Sequence, residues 1–319
     1  MIGVEFVYTL MGIMVAGVAI VNAFDRSADA KRFTNAAFWG IYALTFLASP
    51  HLPNFVNGCL VIAMVLVMAI GKLRGAPPES ATREERDASA RKFGNKLFIP
   101  ALTIPAVTLL GNEFFKYLTI GGAPLVDLKQ VTLIALGLAT VVALIVGMIL
   151  IRPPASAPIV EARRLLDAVS WAAVLPQMLA ALGAMFALSG VGPIVAGIID
   201  KWIPLNTPLS AVVAYALGMA IFTSIMGNAF AAFPVMTAGI GLPLIVHRFG
   251  GDVVIMAAIG MLSGYSGTLV TPMAANFNIV PAALLELPDQ NGVIKVQIPT
   301  AIVLLAVNIV LMYSFVYTR

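Results

Sequence analysis

Two runs of polar residues interrupt otherwise apolar sequence late in the chain, and their residue types could hold a small solute or ion with no reactive side chain. The first, Thr223-Ser224-Ile225-Met226-Gly227-Asn228, leads into Ala229-Phe230-Ala231-Ala232-Phe233-Pro234. The second runs Ser263-Gly264-Tyr265-Ser266-Gly267-Thr268-Leu269-Val270-Thr271-Pro272-Met273-Ala274-Ala275-Asn276-Phe277-Asn278. Glycine and proline on both sides of the Ser/Thr cluster predict a helix that unwinds, because glycine weakens a helix and proline removes a backbone donor. Freed N–H groups and half-helix N-termini could hold an anion, while freed carbonyls and Ser, Thr and Asn oxygens could coordinate a cation such as Na⁺. The expected site residues are Ser224, Gly227, Asn228, Ser263, Gly264, Ser266, Gly267, Thr268, Thr271 and Asn276. Asn228 and Asn276 would contact substrate or ion directly, and Gly227, Gly264 and Gly267 would supply the unwound backbone. The competing account of any one of them is close helix packing, for which small and weakly polar residues are common in membranes.

A short repeat extends this pattern. Thr108-Leu109-Leu110-Gly111-Asn112-Glu113-Phe114 and Ser224-Ile225-Met226-Gly227-Asn228-Ala229-Phe230 share [Ser/Thr]-x-x-Gly-Asn-x-Phe, 116 residues apart. A motif repeated in opposite orientations is what an inverted-topology transporter requires. Thr108, Gly111 and Asn112 are therefore expected to give the pseudo-symmetric half of a site near the bilayer midplane.

The remaining reactive side chains suggest less. Glu113 and Lys116 stand three apart, as a helical pair that satisfies itself or as a carboxylate exchanging a coupled proton. His51 and His247 fall at predicted interfaces, Cys59 reads as a buried inert thiol, and no His/Cys/carboxylate group has metal-ligand spacing. Gly264-Tyr265-Ser266-Gly267 matches the Gly-x-Ser-Gly of rhomboid-type intramembrane serine proteases. A nucleophilic serine needs a base within hydrogen-bond reach, and no histidine follows position 247, so an intramembrane protease is only a remote alternative.

These residues must be positioned by membrane helices. The chain has 319 residues, 60% hydrophobic and only 11% charged, and a mean hydropathy of +0.98; a soluble domain is typically about a quarter charged. Apolar runs predict an all-α, polytopic membrane bundle of about nine spans, at 2–24, 34–49, 55–71, 97–119, 131–151, 169–188, 209–226, 252–285 and 298–317. Broken or re-entrant helices are expected too: 191–203 reads as a half-length helix, and 229–246 is apolar but broken by Pro234, Gly239, Gly241 and Pro243. The first run lacks a basic lead-in and a cleavage site and is expected to remain as a helix. The organisation predicted is three leading helices (1–71), a charged cytoplasmic linker (72–96) with a Pro77-Pro78 pair, and a transport core (97–319).

With the N-terminus outside and the C-terminus inside, fifteen of the nineteen basic residues fall on the cytoplasmic side, which is the bias expected of inside loops. Only Lys116, Lys129, Lys201 and Lys295 fall outside. This parity requires 209–248 to cross the membrane once in net terms. The net charge of +4 then reports topology rather than a nucleic-acid partner.

Met226–Gly241 and Ser266–Asn278, with the opening Tyr8-Thr9-Leu10-Met11-Gly12 and Phe38-Trp39-Gly40-Ile41-Tyr42-Ala43-Leu44, resemble a bacterial membrane-protein family long carried as a domain of unknown function. Its members are commonly named as the larger subunit of a 5-oxoproline (pyroglutamate) transporter. The resemblance implies kinship to the ion-transporter superfamily, a second, smaller membrane subunit as partner, and placement in the bacterial inner membrane. The expected function is that of a secondary transporter subunit for a small carboxylate, working by alternating access with Na⁺ or H⁺ coupling, not an enzyme and with no cofactor. The alternatives are a non-catalytic membrane scaffold, which would tolerate loss of the polar runs, and a passive channel, which would show rings of charge that the sequence lacks.

Overall fold

A computed structural model describes residues 2–25, 31–71, 73, 82–120, 123–202, 206–285 and 287–318. Arg26, Lys72, Arg74 and Arg319 of the charge pattern, and the Pro77-Pro78 pair of the linker, lie outside them. The chain divides into two compact units, Met1–Ser170 and Trp171–Arg319.

The first unit holds seven helices: α1 (Glu5–Phe24), α2 (Lys31–Leu47), α3 (Asn54–Gly71), α4 (Arg83–Phe93), α5 (Phe98–Phe114), α6 (Val131–Ile151) and α7 (Ala157–Val169). The helices that follow the charged linker, α5 to α7, thus belong to the same compact unit as the three that precede it. Small residues set the packing. Gly12 admits Leu47 and Phe46, Gly111 admits Ala135, Gly137 admits Val7 and Gly17 admits Ile159. These contacts make α1 and α2 antiparallel, α5 and α6 antiparallel, and α6 parallel to α1. The soluble-looking stretch becomes α4, started by a reciprocal cap between Thr82 and Glu85. Its acidic first turn and basic last turn both suit the helix dipole. A two-residue ladder, Thr119–Ile120 with Ala123–Pro124, closes the turn between α5 and α6, and Ile2 donates to the Leu125 carbonyl beside it.

Almost nothing of α3 or of the stretch containing α5 is buried within the protein, although both are strongly apolar. Such an all-round apolar helix is stable when its outer face meets lipid. Cys59 lies on that face and is exposed, not buried as the sequence suggested. Charges within this unit separate by end: Lys116 and Lys129 lie with the N-terminus, and Lys31, Arg32, Lys96 and Arg152 at the opposite helix ends.

The second unit contains α8 (Leu175–Leu188), α9 (Val191–Trp202), α10 (Pro208–Met226), α11 (Ala229–Met236), α12 (Val253–Thr268), α13 (Ile279–Leu284) and α14 (Gly292–Val316). Beyond Met236, α11 continues as a π-helical stretch to Arg248 that contains Gly239, Gly241 and Pro243. Tyr215 meets Thr237 at 3.0 Å and Gly218 lies against Met236, so this long helix folds back antiparallel on α10. Gly183 lies against Ala231, and Gly192 against Val235 and Gly239; α8 and α9 therefore run alongside it in the same direction. Gly260, Gly264 and Gly267 lie against Tyr215, Met219 and Ala220 in turn, which makes α12 parallel to α10. The Asp252 N–H donates to the Val316 carbonyl (2.8 Å) and Tyr317 donates to the Pro208 carbonyl (3.4 Å), so α14 returns to the starting level of α10 and α12.

One expectation fails here. Residues 209–248 form a hairpin with both ends on one side, not a single net crossing, and Arg248 and the end of α14 share that side. The single net crossing of 209–248 that the charge parity required is therefore not kept. The cause is the left-handed Gly227, which turns the chain back after a full-length helix, where a count of apolar runs sees one long, broken segment.

Among the described residues, seven helical stretches are long and apolar enough to cross a membrane. At 16 residues the apolar α12 falls just short. The protein is a multi-pass, all-α membrane bundle.

A Cβ added at Gly267 would stand 2.2 Å from the Ala220 carbonyl oxygen, whereas one at Gly40 would meet nothing within 4 Å. Gly267→Ala is expected to cost about 1–3 kcal/mol by overpacking, and Gly40→Ala to be neutral or to stabilise by up to about 1 kcal/mol through helix propensity. Thermal unfolding of the two purified variants in detergent checks this; equal midpoints would show that α10 and α12 are not in backbone contact.

Candidate functional site

In the second unit the two polar runs meet at one end of the bundle, where α10 stops, α11 starts and α12 stops. The 19 residues of α10 rise about 28 Å at 1.5 Å per residue, so its break comes after nearly a full hydrocarbon thickness. Gly227 takes φ +72°, and its Cβ would stand 2.4 Å from the Met273 carbonyl oxygen. Only glycine meets both demands at this position. Its N–H closes α10 on the Thr223 carbonyl (2.6 Å), and Asn228 then caps α11 by accepting the Phe230 N–H at 2.8 Å. The other first-turn amides of α11, at Ala229 and Ala231, have no helical acceptor by construction.

The second run behaves differently from expectation. Gly264 and Gly267 are not unwound; both lie inside a regular α12, where the missing side chains let α10 and Ala229 approach. The helix ends only at Thr268, just ahead of Thr271-Pro272, where a residue before proline is pushed out of helical geometry. Unwound chain follows from 269 to 278. Asn278 ties it down: fully buried, it donates from Nδ2 to the carbonyls of Thr268 (2.8 Å) and Thr271 (2.6 Å). Thr271 Oγ1 accepts the Met273 N–H at 3.2 Å.

Between these elements lies a cavity of about 240 Å³ lined by Leu175, Leu179, Gly227, Asn228, Ala229, Phe230, Tyr265, Thr268, Met273, Ala274, Ala275, Asn276 and Phe277. Gly227, Asn228, Thr268 and Asn276 of the expected residues thus reach one space. The others have structural partners. Ser224 Oγ approaches the carbonyls of Ala220 (2.9 Å) and Gly267 (3.1 Å), joining α10 to α12. Ser263 donates to Ile259 and Ser266 to Leu262, both within α12. Ser224, Ser266 and Gly267 face a separate apolar groove with Ala301 and Leu305.

Ser266 lies about 20 Å along α12 from its Asp252 end, while the exposed His247 lies beside that end, so His247 cannot reach it as a base. Thr108, Gly111 and Asn112 belong to the first unit. Gly111 there is an ordinary helical residue within α5, unlike the left-handed Gly227, and Asn112 accepts from Thr132 at 2.9 Å. Glu113 pairs with Lys116 at 3.5 Å, the two side chains 68% and 43% exposed.

Sequence reasoning missed an aromatic wall. Tyr265 packs edge-on to Phe230 with ring centroids 6.2 Å apart and is tilted against Phe277 at 6.4 Å. Both phenylalanines stood inside the quoted motifs, but nothing in one sequence joins three rings from three elements. The wall is apolar at its sides and carries amide donors from α11 and a carbonyl end from α12, so it can hold a small planar molecule bearing one anionic and one amide-like group. Two buried oxygens of the second unit that do not line the cavity, Thr223 Oγ1 and Asn278 Oδ1, have no hydrogen-bond partner.

Comparison with known proteins adds a family. The family described as "Protein of unknown function (DUF979)" matches residues 5–317. No curated protein matches the chain. A solved structure, Neisseria gonorrhoeae MtrF, presented as illuminating a class of antimetabolite efflux pumps, is similar at 15% identity with a TM-score of 0.38. The similarity covers 99% of this chain and 74% of that one.

Gly227→Ala is expected to destabilise by about 1–2 kcal/mol from the left-handed backbone alone, and further from the clash with Met273. Gly190→Ala, also at positive φ but in open space, should show the backbone cost only. Denaturation midpoints in detergent separate the two; an equal loss would remove the close approach of Met273 from the site.

Proposed function

We propose, for a chain that belongs to the DUF979 family of proteins of unknown function, that it is a subunit of a secondary active transporter for a small carboxylate, with 5-oxoproline the first candidate. The cavity at the meeting of three helix ends is the observation that carries this reading. A carboxylate is matched by the first-turn amides of α11 and the positive end of its dipole. A lactam N–H is matched by the Thr268 hydroxyl oxygen, whose own proton goes to the Tyr265 carbonyl at 2.6 Å, a lactam C=O by the Asn276 amide, and the ring by Phe230, Tyr265 and Phe277. No Lys or Arg lines the space, so a monoanion of modest affinity suits it better than a phosphate. Transporter sites are commonly built from such broken helices, because irregular backbone is tolerated in a membrane only inside protein or beside a watery cavity.

Coupling to a Na⁺ or proton gradient completes the proposal. The smaller membrane subunit implied by the sequence resemblance is the proposed partner. The bacterial inner membrane is the proposed location, with the N-terminal end of the first unit outside because Lys31, Arg32, Lys96 and Arg152 gather at its opposite end. No catalytic step is assigned to the chain.

Proteoliposomes containing this chain, with and without its partner, are expected to accumulate labelled 5-oxoproline saturably under an imposed Na⁺ or proton gradient. Lack of uptake in both preparations, with insertion verified, would rule out that substrate. Asn228→Ala and Asn276→Ala should each lower uptake about tenfold or more, the value of a lost hydrogen bond to a charged or polar ligand; unchanged uptake in both would show that the cavity is not the site.

A further inference from the structure

The first unit holds a buried polar cluster that the cavity reading does not use. Asp167, on α7, is 2% exposed. Its Oδ1 accepts the Trp39 Nε1–H at 2.7 Å and the Asn22 amide at 3.4 Å, and Asn35 also bonds it. Asn22, Asn35 and Trp39 are themselves buried. On the other side Arg163 holds two carboxylates. Its terminal nitrogen pairs with Asp25, while its Nε stands 3.7 Å from Asp167 Oδ2, beyond hydrogen-bond range. The guanidinium therefore commits its close contact to Asp25 and leaves Oδ2 with a longer-range attraction.

This arrangement is more than a clamp. Arg163 Nε has no hydrogen-bond partner, and its ion pair with Asp167 Oδ2 stands at 3.7 Å. Asp25 and Asn22 face Asp167 from α1, Asn35 and Trp39 from α2, and Arg163 from its own helix. Arg164 is turned to Glu161 instead. Burial pushes the Asp167 carboxyl above the ordinary carboxylate range, against its contacts with Trp39, Arg163, Asn22 and Asn35, which pull it down. Helix α7 is not among the stretches long and apolar enough to span.

We propose that the Asp25–Arg163–Asp167 cluster is a proton-binding site in which Asp167 Oδ2 takes one proton from water. Oδ1 keeps the Trp39 and Asn22 hydrogen bonds in both states, and Arg163 stays with Asp25. The bond that forms is O–H on Asp167, and nothing else is broken. The ligand is a proton rather than a metal ion, because the one cation position between the carboxylates is filled by the guanidinium. This inference does not rest on the identity of any solute.

Trp39 is the built-in reporter, since its indole N–H bonds the titrating group. The chain has three tryptophans, so full-length Trp171→Phe/Trp202→Phe protein in detergent leaves Trp39 alone. Its emission is expected to follow a one-proton transition with a midpoint above the ordinary aspartate value of about 3.9, and the transition should vanish in Asp167→Asn. Two further variants carry signs that a structural clamp would not produce. Arg163→Gln removes the nearby cation and should raise the midpoint; Asp25→Asn frees Arg163 to turn to Asp167 and should lower it. The proposal is overturned if emission shows no transition, if the transition survives Asp167→Asn, or if it vanishes in Asp25→Asn. An unmoved midpoint in Arg163→Gln also overturns it, which decides the case even if Asp167→Asn does not fold.

Discussion

Backbone polar groups have no water to turn to in hydrocarbon, so every break in a membrane helix must be satisfied by the protein itself. That constraint shapes the second unit. At the first break the chain uses the least material possible: Gly227 closes α10 on Thr223, Asn228 caps α11, and no residue lies between them. At the second the freed stretch is longer, ten residues from 269 to 278, and Asn278 is spent on binding two of its carbonyls. Both solutions leave a helix end facing the same space. The cavity follows from how the breaks are closed, not from a set of side chains brought there for chemistry.

The breaks can meet only because α10 and α12 approach to backbone contact. Gly260, Ser263, Gly264 and Gly267 repeat along α12 at three- and four-residue spacing, and three of them would clash with α10 if they carried side chains. In lipid, where apolar association gains nothing from leaving water, such close contact and the shared Ser224 hydrogen bond supply the attraction. The polar residues of the second run therefore have two roles that look alike in sequence. Those on the α10 face of α12 pack, whereas Tyr265, Thr268 and Asn276 line the cavity.

Much of this was legible. The polar runs, the helix-breaking role of Gly227 and the half-length α9 all follow from composition and spacing. Which glycine unwinds was not, because unwinding depends on whether a neighbour fills the space over the helix, and a single sequence does not show the neighbour. Gly264 and Gly267 looked like breakers and are contact points. The single crossing expected of 209–248 failed for a similar reason: the hairpin's turn is two residues long, and a count of apolar runs cannot tell a hairpin from one broken crossing. Asp167 escaped notice because its partners come from α1 and α2, 145 and 128 residues away in the chain, and no local motif announces them.

The two polar centres differ in what they can respond to. The cavity is lined by backbone groups, amides, hydroxyls and aromatic rings, with no acidic or basic side chain among the described residues that line it. Asp167 is the one charged residue in the buried set among the described residues. Burial makes its charge costly, and three neutral donors keep it from being prohibitive. A carboxylate balanced in this way changes state for a small change in its surroundings, whereas one locked to a bidentate arginine would not. The long Arg163 contact is what keeps Asp167 in that balance.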